Sequence, residues 1–123
     1  MQFDKMIEKL MEAIRQKDLG QVLSLISVDE NICQILLNGM AIKGRSAFLN
    51  LQAAWFSDPD WQMVYKILRT IETAEMAYAL LLIDYRDPKM GDEDYEKQHY
   101  VSLAFTKKDD KWVLFHDQTT VVK

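Results

Sequence analysis

Two histidines and the polar residues around them are the candidates for chemistry in this sequence. His116 and Gln118 lie in a segment that begins at Trp112, and His99 lies in the segment before it. An imidazole titrates near neutral pH, so His116 is suited to general acid–base catalysis or to a hydrogen bond with a ligand. A structural histidine, satisfied by Gln118 or by a backbone carbonyl, is the alternative. His99 is expected nearer a strand entrance, in contact with water.

The sequence gives little support for a metal or a cofactor. Two histidines without a carboxylate or thiolate on the same strand face do not make a usual zinc site. The chain has no glycine-rich phosphate loop and no nucleophile elbow. The acidic segment 87–94 lacks the ligand spacing of an EF-hand loop, which indicates a solvated turn. We therefore predict no metal and no cofactor.

Composition excludes several classes of partner. The chain has 123 residues, 49% of them hydrophobic and 28% charged, with a net charge of −4. These values are typical of one globular domain, here residues 1–123. A negative net charge argues against a nucleic-acid or anionic-membrane partner, since either would be met by a basic face. The single cysteine, Cys33, is predicted to be buried and inert and fits a reducing compartment, which favours the cytoplasm.

Three helices are predicted in the first half of the chain. Residues 3–16 place apolar side chains at i, i+3, i+4 and i+7, which predicts an amphipathic helix with one buried face. Asp18 is a candidate N-cap for a short second helix that runs to Ile26. A third helix is predicted over residues 46–56, and it must end before Pro59 because the residue preceding proline is disfavoured in helical geometry.

The rest of the chain is predicted to form strands. Asn38-Gly39 between apolar runs indicates a hairpin, since both residues tolerate positive φ. Four long strands follow, over residues 62–72, 75–86, 95–107 and 112–121. Helices segregated from a mostly antiparallel sheet predict an α+β domain. The sheet is expected to curl as a cone around the three helices and to leave a concavity suited to a small molecule.

Alternation along the last hairpin predicts which side chains enter that concavity. Pairing across the turn at Asp109-Asp110 places His116 opposite Leu103 and Gln118 opposite Val101, on a face assigned to the helices. The other face, which includes Asp117, is assigned to the outside of the sheet and to a homodimer contact. A register error of one residue would exchange the two faces.

The final strand resembles a family ending. The pattern Trp112-x-x-Phe115-His116-x-Gln118-x-Thr120 is similar to Trp-x-x-Val-His-x-His-x-Ser in small members of the nuclear transport factor 2-like, or SnoaL-like, superfamily, including the calmodulin-dependent kinase association domain. Gln118 and Thr120 depart from it. The segments 42–48 and 55–58 also resemble bacterial members of unknown function. The resemblance implies a cone-shaped sheet around helices, and a fold that hosts isomerases, cyclases, dehydratases and adaptors.

The resemblance does not imply steroid isomerase chemistry. That chemistry needs a carboxylate base, a tyrosine and a protonated carboxyl, and the corresponding positions fall near Gln34, Leu10 and Val101. In SnoaL-type cyclases an acid and a histidine surround the pocket, and His116 and Asp84 are the residues that would correspond.

The sequence therefore predicts a binding protein for a small organic ligand, with a mainly apolar pocket. An enzyme of cyclase, isomerase or hydrolase type, with His116 as acid or base, and a dimerisation module are the alternatives. The predicted ligand-binding residues are His116, Gln118, His99, Val101, Leu103, Trp55, Phe56 and Asp84.

Overall fold

The computed structural model describes residues 2–90 and 93–123, which form three helices and six strands. The helices are α1 (Phe3–Arg15), α2 (Leu19–Leu25) and α3 (Arg45–Ser57). The strands are β1 (Ser27–Ile35), β2 (Ala41–Lys43), β3 (Gln62–Glu72), β4 (Met76–Met90), β5 (Glu93–Lys108) and β6 (Lys111–Val121). None of the helices in these residues has both the length and the apolarity needed to span a bilayer.

The six strands form one open sheet in the order β2-β1-β6-β5-β4-β3. All neighbours are antiparallel except β1 and β6, which run parallel with Val28 beside Leu114. The predicted α+β class with a mostly antiparallel sheet is confirmed. The parallel pair was not predicted, and it places the last strand in the middle of the sheet.

The core lies between the helices and the inner face of the sheet. The apolar stripe of α1 is buried as its spacing predicted, and the ring of Phe3 makes edge contacts with Phe105 at 5.3 Å and Trp112 at 5.4 Å between ring centroids. The largest fully buried side chains are Trp61, Phe3, Phe105, Ile7, Leu10, Ile32 and Leu81. Burial of such side chains is the main stabilising contribution to a domain of this size.

Local signals in the sequence fix several ends and turns. The Asp18 side chain accepts a hydrogen bond from the Gln21 backbone N–H at 3.0 Å, which confirms the predicted N-cap. Asp109 and Asp110 both have positive φ, at 53° and 63°, as a two-residue hairpin turn of this hand requires. The first hairpin is also present, but its loop runs over residues 36–40 and only Gly39 in it has positive φ.

Two predictions, one about a loop and one about the burial of Cys33, need correction. The polar loop predicted over residues 87–94 is strand at Asp87–Met90 and again from Glu93, and its remaining part, residues 91–92, lies outside the described residues. Cys33 is partly exposed rather than buried, because it alternates with the buried residues Ile32 and Gln34 and so points to the outer side of the sheet.

Candidate functional site

A β-bulge in the last strand decides which residues enter the interior. Near the turn the predicted pairing is correct, with Phe105 opposite Leu114. The register then shifts, so that Ala104 pairs with His116 and Phe115 is the extra residue on β6. One extra residue reverses the faces of all that follow it. Leu103 therefore pairs with Asp117, and Ser102 pairs with Gln118.

The prediction that His116 and Gln118 face the interior is wrong. Both lie on the outer face beyond the bulge, where the His116 Nε2 and the Gln118 Oε1 are 3.3 Å apart in an exposed contact. Cys33 is the neighbour of His116 on the parallel strand β1. The two proposed polar anchors thus belong to the surface of the sheet, and the residue between them takes the interior position.

Asp117 is the carboxyl group that points into an interior cavity. Its neighbours there come from α1, α2, α3 and the sheet. They are Leu10, Ile14, Leu19, Val22, Leu23, Ile26, Val28, Phe48, Leu49, Gln52, Phe56, Leu103 and Leu114. The cavity has a volume of about 50 Å³. Apart from Asp117 and Gln52, every lining residue in the described part of the chain is apolar, so Asp117 is the one ionisable group among them.

Two glutamines connect this carboxyl group to α3. The buried Gln34 side chain, 7% exposed, donates from Nε2 to Asp117 Oδ2 at 3.2 Å. Its Oε1 accepts a hydrogen bond from Gln52 Nε2 at 3.4 Å. The strand pairing explains the first contact, because Gln34 and Asp117 are neighbours in the parallel register of β1 and β6. The hydrogen bond from Gln34 occupies the Oδ2 atom of Asp117 and leaves its Oδ1 atom for another partner.

The cavity makes Asp117 an unusual acid. Burial raises the pKa of this carboxyl group from 3.8 to about 7, and the hydrogen bond from Gln34 offsets only part of that effect. Burial penalises the charged form, and no ion pair among the described residues compensates for it. Near neutral pH a large fraction of Asp117 is therefore protonated, and the group donates a hydrogen bond instead of only accepting one.

A second interior cluster consists of stacked aromatic rings. Trp55 stacks on Trp61 at 4.2 Å, and its Nε1 donates to the Tyr85 hydroxyl at 3.0 Å. Tyr85 stacks on His99, and the Tyr95 hydroxyl lies 2.6 Å from His99 Nε2. His99 is only 4% exposed, so the expectation of a wet histidine is wrong. Burial, with a smaller effect of Lys97, lowers the pKa of His99, while burial raises the pKa of Tyr85 to about 12.

The remaining predicted ligand residues divide between the two sides of the sheet. Phe56 and Leu103 line the cavity beside Asp117, and Val101 is partly buried against the same core. Trp55 is interior but belongs to the aromatic cluster. Asp84 is exposed on the outer side of β4, so its predicted place in the pocket is wrong. It lines instead an open groove at the β3 edge.

Asp117, Gln34 and Gln52 were missed by sequence reasoning, and one signal was available. Trp112 to Phe115 are four consecutive apolar residues, which interrupts the strict alternation of a half-buried strand. Such a run is typical of a strand buried on both faces and is also compatible with a bulge, and a bulge before His116 would have exchanged the two faces. In the described residues no three His, Cys, Asp or Glu side chains converge in a group that could hold a metal ion.

Comparison with known proteins agrees with this architecture. A family model described as a SnoaL-like domain matches residues 4–122. No curated protein matches the sequence. Similar solved structures include an NTF2-like protein of unknown function from Pseudomonas putida KT2440, with a TM-score of 0.73, 15% identity, and coverage of 95% of this chain and 82% of that one.

Two further similar structures belong to differently named proteins. A ketosteroid isomerase-like protein from Erwinia carotovora atroseptica gives a TM-score of 0.74 at 12% identity, covering 98% of this chain and 93% of that one. The CaMKII hub of S. rosetta gives 0.71 at 13% identity, covering 96% and 92%. At such low identity these likenesses show the NTF2-like fold alone.

Proposed function

This chain belongs to the SnoaL-like domain family, and on that premise we propose that it binds a small, uncharged organic molecule in the interior cavity. The observation that carries the proposal is the Asp117 carboxyl group in a cavity whose other lining residues, apart from Gln52, are apolar. A protonated carboxyl group donates one hydrogen bond, which suits a carbonyl or ether oxygen on the ligand. The apolar lining suits the rest of such a molecule, whereas a bare charge would lose its hydration there without compensation.

The size of the cavity limits what binds without rearrangement. A volume of about 50 Å³ accommodates only a few non-hydrogen atoms, whereas pockets for drug-sized ligands begin at roughly 300 Å³. One wall is formed by α2, a helix of seven residues in which only Val22 is buried. A larger ligand therefore requires α2 to move outward, and this short helix has little buried apolar surface to resist that motion.

Ligand binding at Asp117 is tested with a panel of small ketones, esters and aromatic ethers. Thermal shift identifies compounds that bind, and NMR titration measures their affinity. For a compound that binds the parent, we expect Asp117→Leu to raise the dissociation constant about tenfold, because one buried hydrogen bond is lost. Asp84→Asn and His116→Ala, both on the outer face, should bind as the parent does. Equal binding by the parent and Asp117→Leu would remove the proposed anchor.

Acid–base catalysis at Asp117 is the second candidate function. A carboxyl group with a pKa of about 7 is suited to donate and recover a proton at neutral pH. The same role for His116 has no support, because its imidazole lies on the outer face. The test is deuterium exchange at the α-carbon of a bound ketone in D₂O. Exchange that requires Asp117 supports catalysis, and binding without exchange supports a binding protein.

We also propose that the protein forms a homodimer through the outer sheet face. In the described residues no helix packs on this side, and Leu80, Leu82 and Tyr100 lie together on neighbouring strands there. The likeness to kinase hub domains agrees with assembly of this fold. Light scattering after size exclusion should give a dimer for the parent and a monomer for Tyr100→Glu. A monomeric parent at micromolar concentration would contradict the proposal.

A cytoplasmic location stays a prediction based on the single cysteine.

A further inference from the structure

The edge strand β3 exposes an unusual amount of aliphatic surface. Its eleven residues pair only with β4 within the described sheet, so one row of backbone N–H and C=O groups faces outward. Val64 is 67% exposed, Leu68 41% and Ile71 42%. Edge strands are ready templates for a further strand, and most proteins make them short or cover them. This one is long and carries large apolar side chains.

The two basic residues of β3 are without an ion-pair partner in the described part of the chain. Lys66 and Arg69 are exposed, and neither forms an ion pair in residues 2–90 and 93–123. On the inner neighbour β4 they lie opposite Leu82 and Leu80. The irregularity at Leu68 brings the two cations to successive positions on the outer face.

We propose that β3 binds an extended acidic peptide segment of a partner protein by adding it as a seventh strand. The outer face of β3 reads Val64, Lys66, Arg69, Ile71 in successive outward positions. Directly opposed residues on an added strand interact across the pair, and opposite charges there are favourable. The matching partner strand therefore carries apolar, acidic, acidic and apolar residues at alternate positions. Backbone hydrogen bonds give affinity, and these four positions give specificity.

A second copy of this chain is a poorer occupant of the same edge. The outward pattern of β3 is symmetric, with an aliphatic residue at each end and two cations between them. A twofold pairing that aligns the aliphatic residues places Lys66 opposite Arg69 of the second copy. Like charges directly opposite each other are destabilising in a sheet. The two cations thus disfavour the pairing of two copies at this edge and leave it available to an acidic strand.

The groove at the start of β3 extends this surface. It has a volume of about 640 Å³, and its charged lining residues are Arg15, Lys17, Asp84, Arg86 and Glu96. The groove therefore carries charges of both signs and contributes shape. The acidic preference comes from Lys66 and Arg69 farther along the strand.

The test uses a fluorescent peptide with capped ends and the core Val-Thr-Glu-Thr-Glu-Thr-Val, measured by anisotropy at low salt. A control peptide has lysine at both glutamate positions. We expect the parent to bind the acidic peptide about tenfold more tightly than the lysine peptide, and we expect the double variant Lys66→Glu, Arg69→Glu to reverse this preference. The double variant Lys5→Glu, Lys108→Glu changes the net charge equally at exposed sites elsewhere and should keep the parental preference.

A second measurement separates strand addition from loose electrostatic attraction. Hydrogen exchange should show that the acidic peptide protects backbone amides in residues 64–71 and leaves those of β2, the other edge strand, unchanged. Circular dichroism and a melting curve establish that each variant is folded. No detectable binding of the acidic peptide, equal binding of the two peptides, or binding without protection at β3 would each overturn the proposal.

Discussion

Replacing Asp117 by asparagine isolates the energetic effect of burying a carboxyl group in the cavity. Asparagine has nearly the same shape, its Oδ1 can still accept from Gln34, and it never ionises. The folded state raises the pKa of Asp117 from 3.8 to about 7, so the folded protein binds this proton more tightly than the unfolded chain does. The free energy of unfolding of the parent therefore decreases as pH rises between these values and becomes constant above them.

The magnitude follows from the size of the shift. A difference of about three pKa units corresponds to roughly 4 kcal/mol at most. Asp117 keeps some solvent exposure as a residue, so relaxation and water reduce this to an expected ~1–3 kcal/mol. The variant should exceed the parent in unfolding free energy by that amount at pH 8. The advantage should shrink towards zero near pH 4, where both side chains are neutral.

Urea denaturation followed by circular dichroism at several pH values measures this difference, because other titrating groups contribute equally to both proteins. Asp84→Asn is the matched control, since it removes an exposed carboxylate from the outer side of β4. At pH 8 its unfolding free energy should lie within about 0.5 kcal/mol of the parent value, as for other exposed substitutions. If Asp117→Asn were less stable than the parent at pH 8, or if its difference were the same at every pH, the assignment of Asp117 as a buried, partly protonated acid would be refuted.

Three further outcomes are expected from simpler changes. Because burial lowers the pKa of His99 below 6.5, the parent should lose stability on acidification below about pH 6.5, and His99→Phe should flatten that part of a urea-derived stability curve; an unchanged slope would exclude His99. Phe105→Ala should cost about 3–5 kcal/mol in unfolding free energy because the ring is fully buried, whereas Val64→Ala at an exposed site should change it by less than about 0.5 kcal/mol. Asp18→Ala removes the N-cap of α2 and should cost about 1 kcal/mol, while Asp18→Asn should retain most of that stability; equal loss in both variants would contradict a capping role.

The sequence predicts those parts of the fold that depend on local interactions. The stripe of α1 and the Asp18 cap involve residues within one or two helical turns, so their patterns are visible without a partner. The turn at Asp109 and Asp110 also sets the first pairs of the last hairpin. The parallel contact of β1 with β6 joins segments from opposite parts of the chain, and no short pattern specifies it.

The interior site was harder to predict, because its identity depends on one irregular residue. Strict alternation assumes that the pairing set by the turn continues unchanged beyond Phe115, and on that assumption Asp117 was assigned to the outer face. The structure adds a bulge there, and the next residues exchange faces. Gln34 could be recognised as its partner only through the parallel register of β1 and β6, which the sequence did not predict. A single-residue error in a strand thus changed the proposed anchor from an imidazole to a carboxyl group.

The parallel pairing of β1 and β6 also has a consequence for the order of folding. Until β6 is in place, β1 has only the three-residue strand β2 as a neighbour, and an isolated two-stranded hairpin is marginal in water. Joining β1 to β6 closes a loop that contains most of the chain. Such distant contacts slow folding because the entropy of loop closure is lost before the contacts that stabilise the pair are formed. We therefore expect the β3–β4–β5–β6 meander to assemble first and the β1–β2 hairpin to dock late. A ribosome-bound chain that lacks β6 would then expose the edge of β5 to other chains during synthesis.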